Sequence, residues 1–266
     1  MHVVVTGGSS GIGLEVAKIY AAKGVSVSIV ARNPEKLQSA HERIEKAAAT
    51  GATVYSAAAD VADATALSAA ISACEAAQGP CDTLVVSAGI VDPAWFYEQS
   101  DEAFRAMWET NFHGAVNAVR TVYQGMRKRR EGRIMIVSSA AALIGIPAYA
   151  GYCGSKSALV GFVDALRLEA MPDGISVGIC FPPDTDTPQL AWEIHCRPRE
   201  AQMLMGKVKA RPADSIAADI VNGITKRRAR VYFSLSIAAL SIFGPAIKPL
   251  VEVWYRFRTR RPGGLL

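Results

Sequence analysis

The stretch HVVVTGGSSGIG, residues 2–13, decides how the rest of the chain is read. Three successive valines suit a short strand buried on both faces, and glycines at 7, 11 and 13 follow at once. Glycine allows a tight turn and close approach to the backbone. A helix opening inside such a turn aims free N–H groups at an anion. The spacing is G-x-x-x-G-x-G rather than G-x-G-x-x-G, so the turn gains meaning only if strands and helices alternate after it.

They do alternate. Runs rich in β-branched residues at 3–6, 27–31, 53–57, 83–87, 133–138 and 176–181, with a seventh at 230–234, predict strands. Between them, Ile12/Val16/Ile19, Leu67/Ala70/Ile71/Cys74 and Leu159/Phe162/Val163/Leu166 repeat at helical spacing. This pattern predicts one α/β domain: a doubly wound, Rossmann-like parallel sheet with helices on both faces. Residues 1–230 are expected to form the dinucleotide-binding and catalytic domain. Residues 231–266 form a C-terminal apolar and basic extension, read as a last strand followed by a lid or membrane-surface helix.

In such sheets, ligands sit beyond the carboxyl ends of the strands, where the strand order reverses. After the first strand, Gly7, Ser9, Ser10, Gly11, Ile12 and Gly13 are expected around a pyrophosphate. After the second, Arg32 stands where an NAD site would carry an acid, which favours the 2′-phosphate of NADPH; Lys36 lies one turn on. Asp60 and Val61 are placed to hold an adenine, and Ala88-Gly89 to let the backbone pass close to the cofactor. Asn111, averse to helix in a helical run, is a candidate for a water relay. Its neighbours Phe104, Met107 and Trp108 suit core or a contact with a second copy.

After the fifth strand, Ser139 precedes Tyr152 by thirteen residues, and Lys156 follows Tyr152 by four. On a helix, residues four apart share a face, so phenol and ammonium can enter one cleft. A cation beside a phenol stabilises the phenolate, and a serine hydroxyl can hold the oxygen that exchanges the proton. After the sixth strand come Pro182-Pro183 and then Thr187, which could bond a carboxamide. Asp184 and Asp186 have no partnering His or carboxylate, so no metal is expected.

Together, TGGSSGIG, Asp60-Val61, Ala88-Gly89, Asn111, the Ser139/Tyr152/Lys156 group and the proline-led Thr187 segment resemble the short-chain dehydrogenase/reductase family over about residues 1–190. The resemblance implies that Tyr152 gives a proton to a carbonyl oxygen as hydride arrives from the nicotinamide. It also implies that Lys156 lowers the Tyr152 pKa and binds the ribose, that Ser139 rather than Ser138 steadies the oxygen, and that Asn111 supports the relay. Val86-Ser87 replace the family's usual Asn-Asn, and Pro182-Pro183 its usual Pro-Gly. PPDTDTP, with VARNPEKL and TGGSSGIG, looks like the 3-ketodihydrosphingosine reductase branch, which reduces the ketone of a long-chain sphingoid precursor with NADPH. Reduction of another hydrophobic carbonyl, such as a steroid, retinoid or 3-oxoacyl compound, is the alternative. A silent NADP-sensing protein is the alternative of another class. Residues 189–206, with Trp192, His195 and Met203, are expected to cover a hydrophobic small-molecule substrate.

Composition agrees with an enzyme rather than a nucleic-acid binder. Hydrophobic residues make up 50% of 266, and the charge of +5 is uneven, with nine Lys/Arg and only Glu252 from residue 226 onward. The basic residues lack interleaved aromatics on a recognised module, so no nucleic-acid partner is expected. The five cysteines form no C-x-x-C pair, and the N-terminus enters its apolar run with no basic leader. A cytoplasmic protein is expected. Residues 231–247 carry no charge, but Gly244-Pro245 interrupts them, and the last strand leaves only thirteen apolar residues. With Arg256, Arg258, Arg260 and Arg261 beyond, the segment suits peripheral contact with the cytoplasmic membrane face.

Overall fold

A computed structural model describes residues 1–206 and 209–259. Its strands are β1 (His2–Thr6), β2 (Ser26–Ala31), β3 (Val54–Ala58), β4 (Thr83–Val86), β5 (Gly132–Val137), β6 (Ile175–Phe181), β7 (Thr185–Asp186), β8 (Arg211–Pro212) and β9 (Arg230–Tyr232). The helices are α1 (Gly11–Ala21), α2 (Pro34–Ala47), α3 (Ala64–Gln78), α4 (Asp101–Trp108), α5 (Gly114–Arg129), α6 (Ala150–Ala170), α7 (Pro188–Cys196), α8 (Arg199–Met205), α9 (Ala213–Thr225) and α10 (Leu235–Thr259).

Seven strands pair in parallel in the order β3-β2-β1-β4-β5-β6-β9, while β7 and β8 form a separate small pair. The order reverses between β1 and β4. Each strand alternates its apolar residues between two buried faces: Val4, Leu84 and Ile134 pack with α3, α5 and α6, and Val3, Val5 and Met135 with α1, α2 and α9. That two-sided burial explains the near-continuous apolar runs. All seven expected strands of the main sheet are present, and residue 230 is the first residue of β9.

Capping sets the helix starts. Asn33 accepts from the Lys36 N–H ahead of α2, Asp63 from Thr65 and Ala66 ahead of α3, and Thr187 from Leu190 ahead of α7. The extension departs from expectation. Ser234 caps α10, which continues through Pro245 and Pro249 for 25 residues and contains an 18-residue window of mean hydropathy 1.4. Gly244-Pro245 therefore does not end it, although each proline gives up one main-chain hydrogen bond. By length and composition α10 could cross a membrane, whereas the sequence reading left only a short apolar piece. Its base is tied to the body by buried Ile237 and by Ser241, which meets both Arg230 and Tyr232. Arg260 and Arg261 lie outside the described residues.

Candidate active site

A cleft of about 340 Å³ opens at the carboxyl ends of β1, β2, β4, β5 and β6, across the point where the strand order reverses. Its floor is the turn after β1. Gly7 has φ +70°, and a Cβ there would lie 2.6 Å from the Ala88 nitrogen, so the β1 and β4 turns touch backbone to backbone. Ser10 is extended ahead of α1 and makes no side-chain cap, which leaves its hydroxyl and the helix's first N–H groups to a ligand. Ser9, Gly11 and Ile12 also line the cleft. Gly13 does not. It sits behind the turn, where a Cβ would come within 2.4 Å of the Gly7 carbonyl oxygen, so its part is to let α1 pack on β1.

Arg32 and Lys36 line the far end and are exposed. Asn33, between them, orients this corner by capping α2. Val61 is buried on the wall, but Asp60 is absent from the lining. Its Oδ1 accepts from the Ala62 N–H at 2.9 Å and its Oδ2 lies 3.6 Å from Arg32 Nη1, so turn formation and an ion pair occupy it. Ala88, Gly89, Pro182 and Thr187 line the middle. Thr187 Oγ1 spends its acceptor role on the Leu190 N–H.

The reacting groups stand at the near end. Ser139 Oγ accepts from the Ala141 N–H at 3.1 Å and lies near enough to the Tyr152 phenol to lower its pKa. Ser138 instead donates to the Lys156 carbonyl oxygen at 3.0 Å, tying the end of β5 to α6. Lys156 donates to the Val137 carbonyl oxygen at 3.1 Å, and its Nζ lies 5.8 Å from the Tyr152 ring centroid. Burial lowers the Lys156 pKa from 10.5 to about 8. Burial also raises the Tyr152 phenol above its ordinary value; the Ser139 hydrogen bond pulls it down, and Glu193, Cys153 and Asp184 add to the rise. The expected lowering of Tyr152 by Lys156 is not what the chain alone produces, because desolvation outweighs it.

Asn111 lies outside the lining, within a π-helical turn (Glu109–His113). Such turns widen a helix and free main-chain groups, often beside functional sites. Its side chain accepts from the Ile90 N–H at 2.8 Å and donates to the Ile90 carbonyl at 2.9 Å and to Ser155 Oγ at 3.0 Å. It therefore holds the β4 turn over Lys156.

Residues 189–206 do cover the cleft, through Gln189, Leu190, Glu193 and Met205. Trp192 and His195 are exposed instead. Sequence reasoning missed Tyr149, Glu193 and Arg197, which form a buried network with Asp184. The helical spacing of Glu193 and Arg197 was a signal, but one that surface ion pairs share.

The model of the short chain dehydrogenase family matches residues 1–195. The chain belongs to that family. It is accordingly an oxidoreductase using a nicotinamide cofactor. The chain is 36% identical over 269 residues to 3-dehydrosphinganine reductase TSC10B of Arabidopsis thaliana, covering 100% of this chain and 79% of the relative. It is 40% identical over 205 residues to 3-dehydrosphinganine reductase of Danio rerio, covering 76% of this chain but only 62% of that one. Among solved structures, a variant of actinorhodin polyketide ketoreductase with NADPH superposes with a TM-score of 0.78 at 27% identity, covering 90% of this chain and 97% of the other. This short-chain dehydrogenase thus has a seven-stranded parallel sheet with a cleft at the carboxyl ends of its strands.

Proposed function

We propose that the protein reduces the ketone of 3-ketodihydrosphingosine, a long-chain amino ketone, with NADPH. The observation that carries the reading is the Tyr152 phenol, held by Ser139 at the near end of a cleft whose floor is the glycine turn. The names of the two reductases support the substrate, and Tyr149, Leu190 and Met205 bring apolar side chains to the cleft that Tyr152 lines.

The cleft fits a dinucleotide. Its glycine turn has no room for side chains at Gly7, and free helix N–H groups face a pyrophosphate there. Arg32 and Lys36 supply cations for a 2′-phosphate, and Lys156 a buried cation for a ribose. When bound, the nicotinamide supplies hydride. Tyr152, kept protonated by burial, gives its proton to the ketone oxygen, and Ser139 orients that oxygen. Lys156 replenishes the proton from its ammonium, and Asn111 keeps the surrounding loop in place.

For α10 we propose a place on an anionic membrane surface. Leu235, Ile242, Phe243, Leu250 and Trp254 are exposed along it, with Lys248, Arg256 and Arg258 beside them. The alternation of apolar bulk and cation suits the boundary between acyl chains and headgroups.

The test of the catalytic reading follows NADPH oxidation with long-chain 3-keto amines, steroids and 3-oxoacyl thioesters. Turnover of the keto amine, lost by at least about a hundredfold in Tyr152→Phe, is expected. A Tyr152→Phe protein working at the unaltered rate overturns the role of the phenol. Preference for a steroid or thioester overturns the substrate.

A further inference from the structure

Glu193 sits one turn into α7, buried to 8% exposure, and lines the cleft beside the reacting groups. Its Oε1 is fully used, accepting from the Tyr149 hydroxyl at 2.7 Å and from Arg197 Nη2 at 2.6 Å. Arg197 is equally committed. Its Nη1 and Nη2 fork onto Asp184 at 2.6 and 3.1 Å, and its Nε donates to the Tyr149 hydroxyl at 3.1 Å. One guanidinium thus faces two carboxylates, and Glu193 Oε2 has no hydrogen-bond partner among the described residues. A clamp for Arg197 needs only the Asp184 fork, because a bidentate carboxylate already satisfies a guanidinium. The second carboxylate oxygen makes no hydrogen bond within the described residues, and a carboxylate oxygen at the wall of a cleft can accept from a ligand's donor.

We propose that Glu193 is the residue that reads the charge of the substrate, taking the ammonium of an α-amino ketone while Tyr152 and Ser139 take the ketone oxygen. The inference deepens the reductase reading and rests on it. In an α-amino ketone the nitrogen is attached to the carbon next to the carbonyl, so the two recognition groups must be neighbours. Glu193, Tyr149, Tyr152 and Ser139 all line the same cleft, and the Tyr149 hydroxyl bonded to Glu193 belongs to a ring 6.3 Å from the Tyr152 ring, centroid to centroid. The charge of Glu193 is also felt at the Tyr152 phenol, which it helps to keep protonated. An ammonium bound at Oε2 balances the network, whereas a neutral ketone leaves the oxygen unpaired. A site with a buried acceptor built for an N–H rejects the analogue that lacks it.

The experiment compares, on the full chain with NADPH, 3-ketodihydrosphingosine, its N-acetyl derivative and the ketone of equal chain length without the amine. The amino ketone is expected to exceed the neutral ketones in kcat/KM by about tenfold or more, chiefly through KM. In Glu193→Gln, checked for folding by its melting curve, the ratio is expected to fall toward one. Equal kcat/KM for charged and neutral ketones in the unaltered protein overturns the inference and leaves the reductase reading standing. So does a Glu193→Gln protein that keeps the full preference. Turnover of none of the three overturns the reductase reading itself, and this inference with it. Should Glu193→Gln fail to fold, the comparison of amine with N-acetyl amine on the unaltered protein decides alone.

Discussion

Burial moves Lys156 and Tyr152 in opposite directions, and both changes favour the neutral form. For Tyr152 that is the form a ketone reductase needs. For Lys156 it means that the cation is lost near pH 8 in the cofactor-free protein. Between about 8 and 10.5 the unfolded chain still holds a proton that the folded chain has released, so stability rises with pH across that window. The rise amounts to something on the order of 3 kcal/mol. Denaturant titrations of the cofactor-free protein at several pH values should show it, and Lys156→Met should lack it; the same slope in both proteins counts against the assignment. Over the same range kcat/KM for reduction is expected to fall as Lys156 loses its charge, and a profile flat to pH 10 argues against it. At the other end of the cleft, Arg32→Ala is expected to raise KM for NADPH by roughly 10- to 100-fold, the loss of a charge-assisted hydrogen bond, while KM for NADH barely moves. Equal effects on both cofactors remove the 2′-phosphate role. Tyr152, Lys156, Ser139 and Arg32 were legible in the sequence because their spacing and strand-end positions carry the chemistry. Asp60 and Asn111 were legible as motif positions only: whether each side chain faces the cleft or its own turn depends on hydrogen bonds that spacing does not encode.

The turn between β1 and α1 and the helix α6 show what a glycine does in two settings. Gly13 lets α1 lie on the turn's backbone, and the 2.4 Å that a Cβ would leave to the Gly7 oxygen cannot be relieved by rotating a side chain. Gly13→Ala is therefore expected to cost about 1–3 kcal/mol in a denaturant titration. Gly161, exposed on α6 with nothing within 4 Å of its Cβ position, should behave oppositely. Gly161→Ala is expected to stabilise the fold by about 0.5–1 kcal/mol, since helix formation then loses less backbone entropy. Two changes of the same sign undo this account. Strands were readable to within a residue or two because burial on both faces demands continuous apolar runs. The course of α10 was not, since the cost of Gly244-Pro245 is local and a 25-residue helix can absorb it.

At the scale of the whole molecule, α10 carries an apolar and basic exposed surface, while Lys248, Val251 and Tyr255 share a small pocket with Ile144, Pro147 and Leu204 of the body. The protein is expected to sediment with vesicles containing phosphatidylserine at low ionic strength and to be released as salt rises, each basic residue adding about 1 kcal/mol near the surface. Leu250→Asp with Trp254→Asp should weaken that binding without altering the melting temperature. Equal recovery with neutral and anionic vesicles, or none with either, removes the proposed role. By itself the sequence determined the alternation of strands and helices, and it singled out the glycine turn, Ser139, Tyr152 and Lys156, because these depend on local pattern: period, glycine placement and short spacing. Only the tertiary structure decided which way Asp60 and Asn111 turn, and that Glu193 joins Tyr149 and Arg197 in one network at the cleft. For Asn111 and Glu193 the outcome depends on contacts between residues 21 to 44 positions apart, whose balance of burial and hydrogen bonding exists only once the sheet has brought them together.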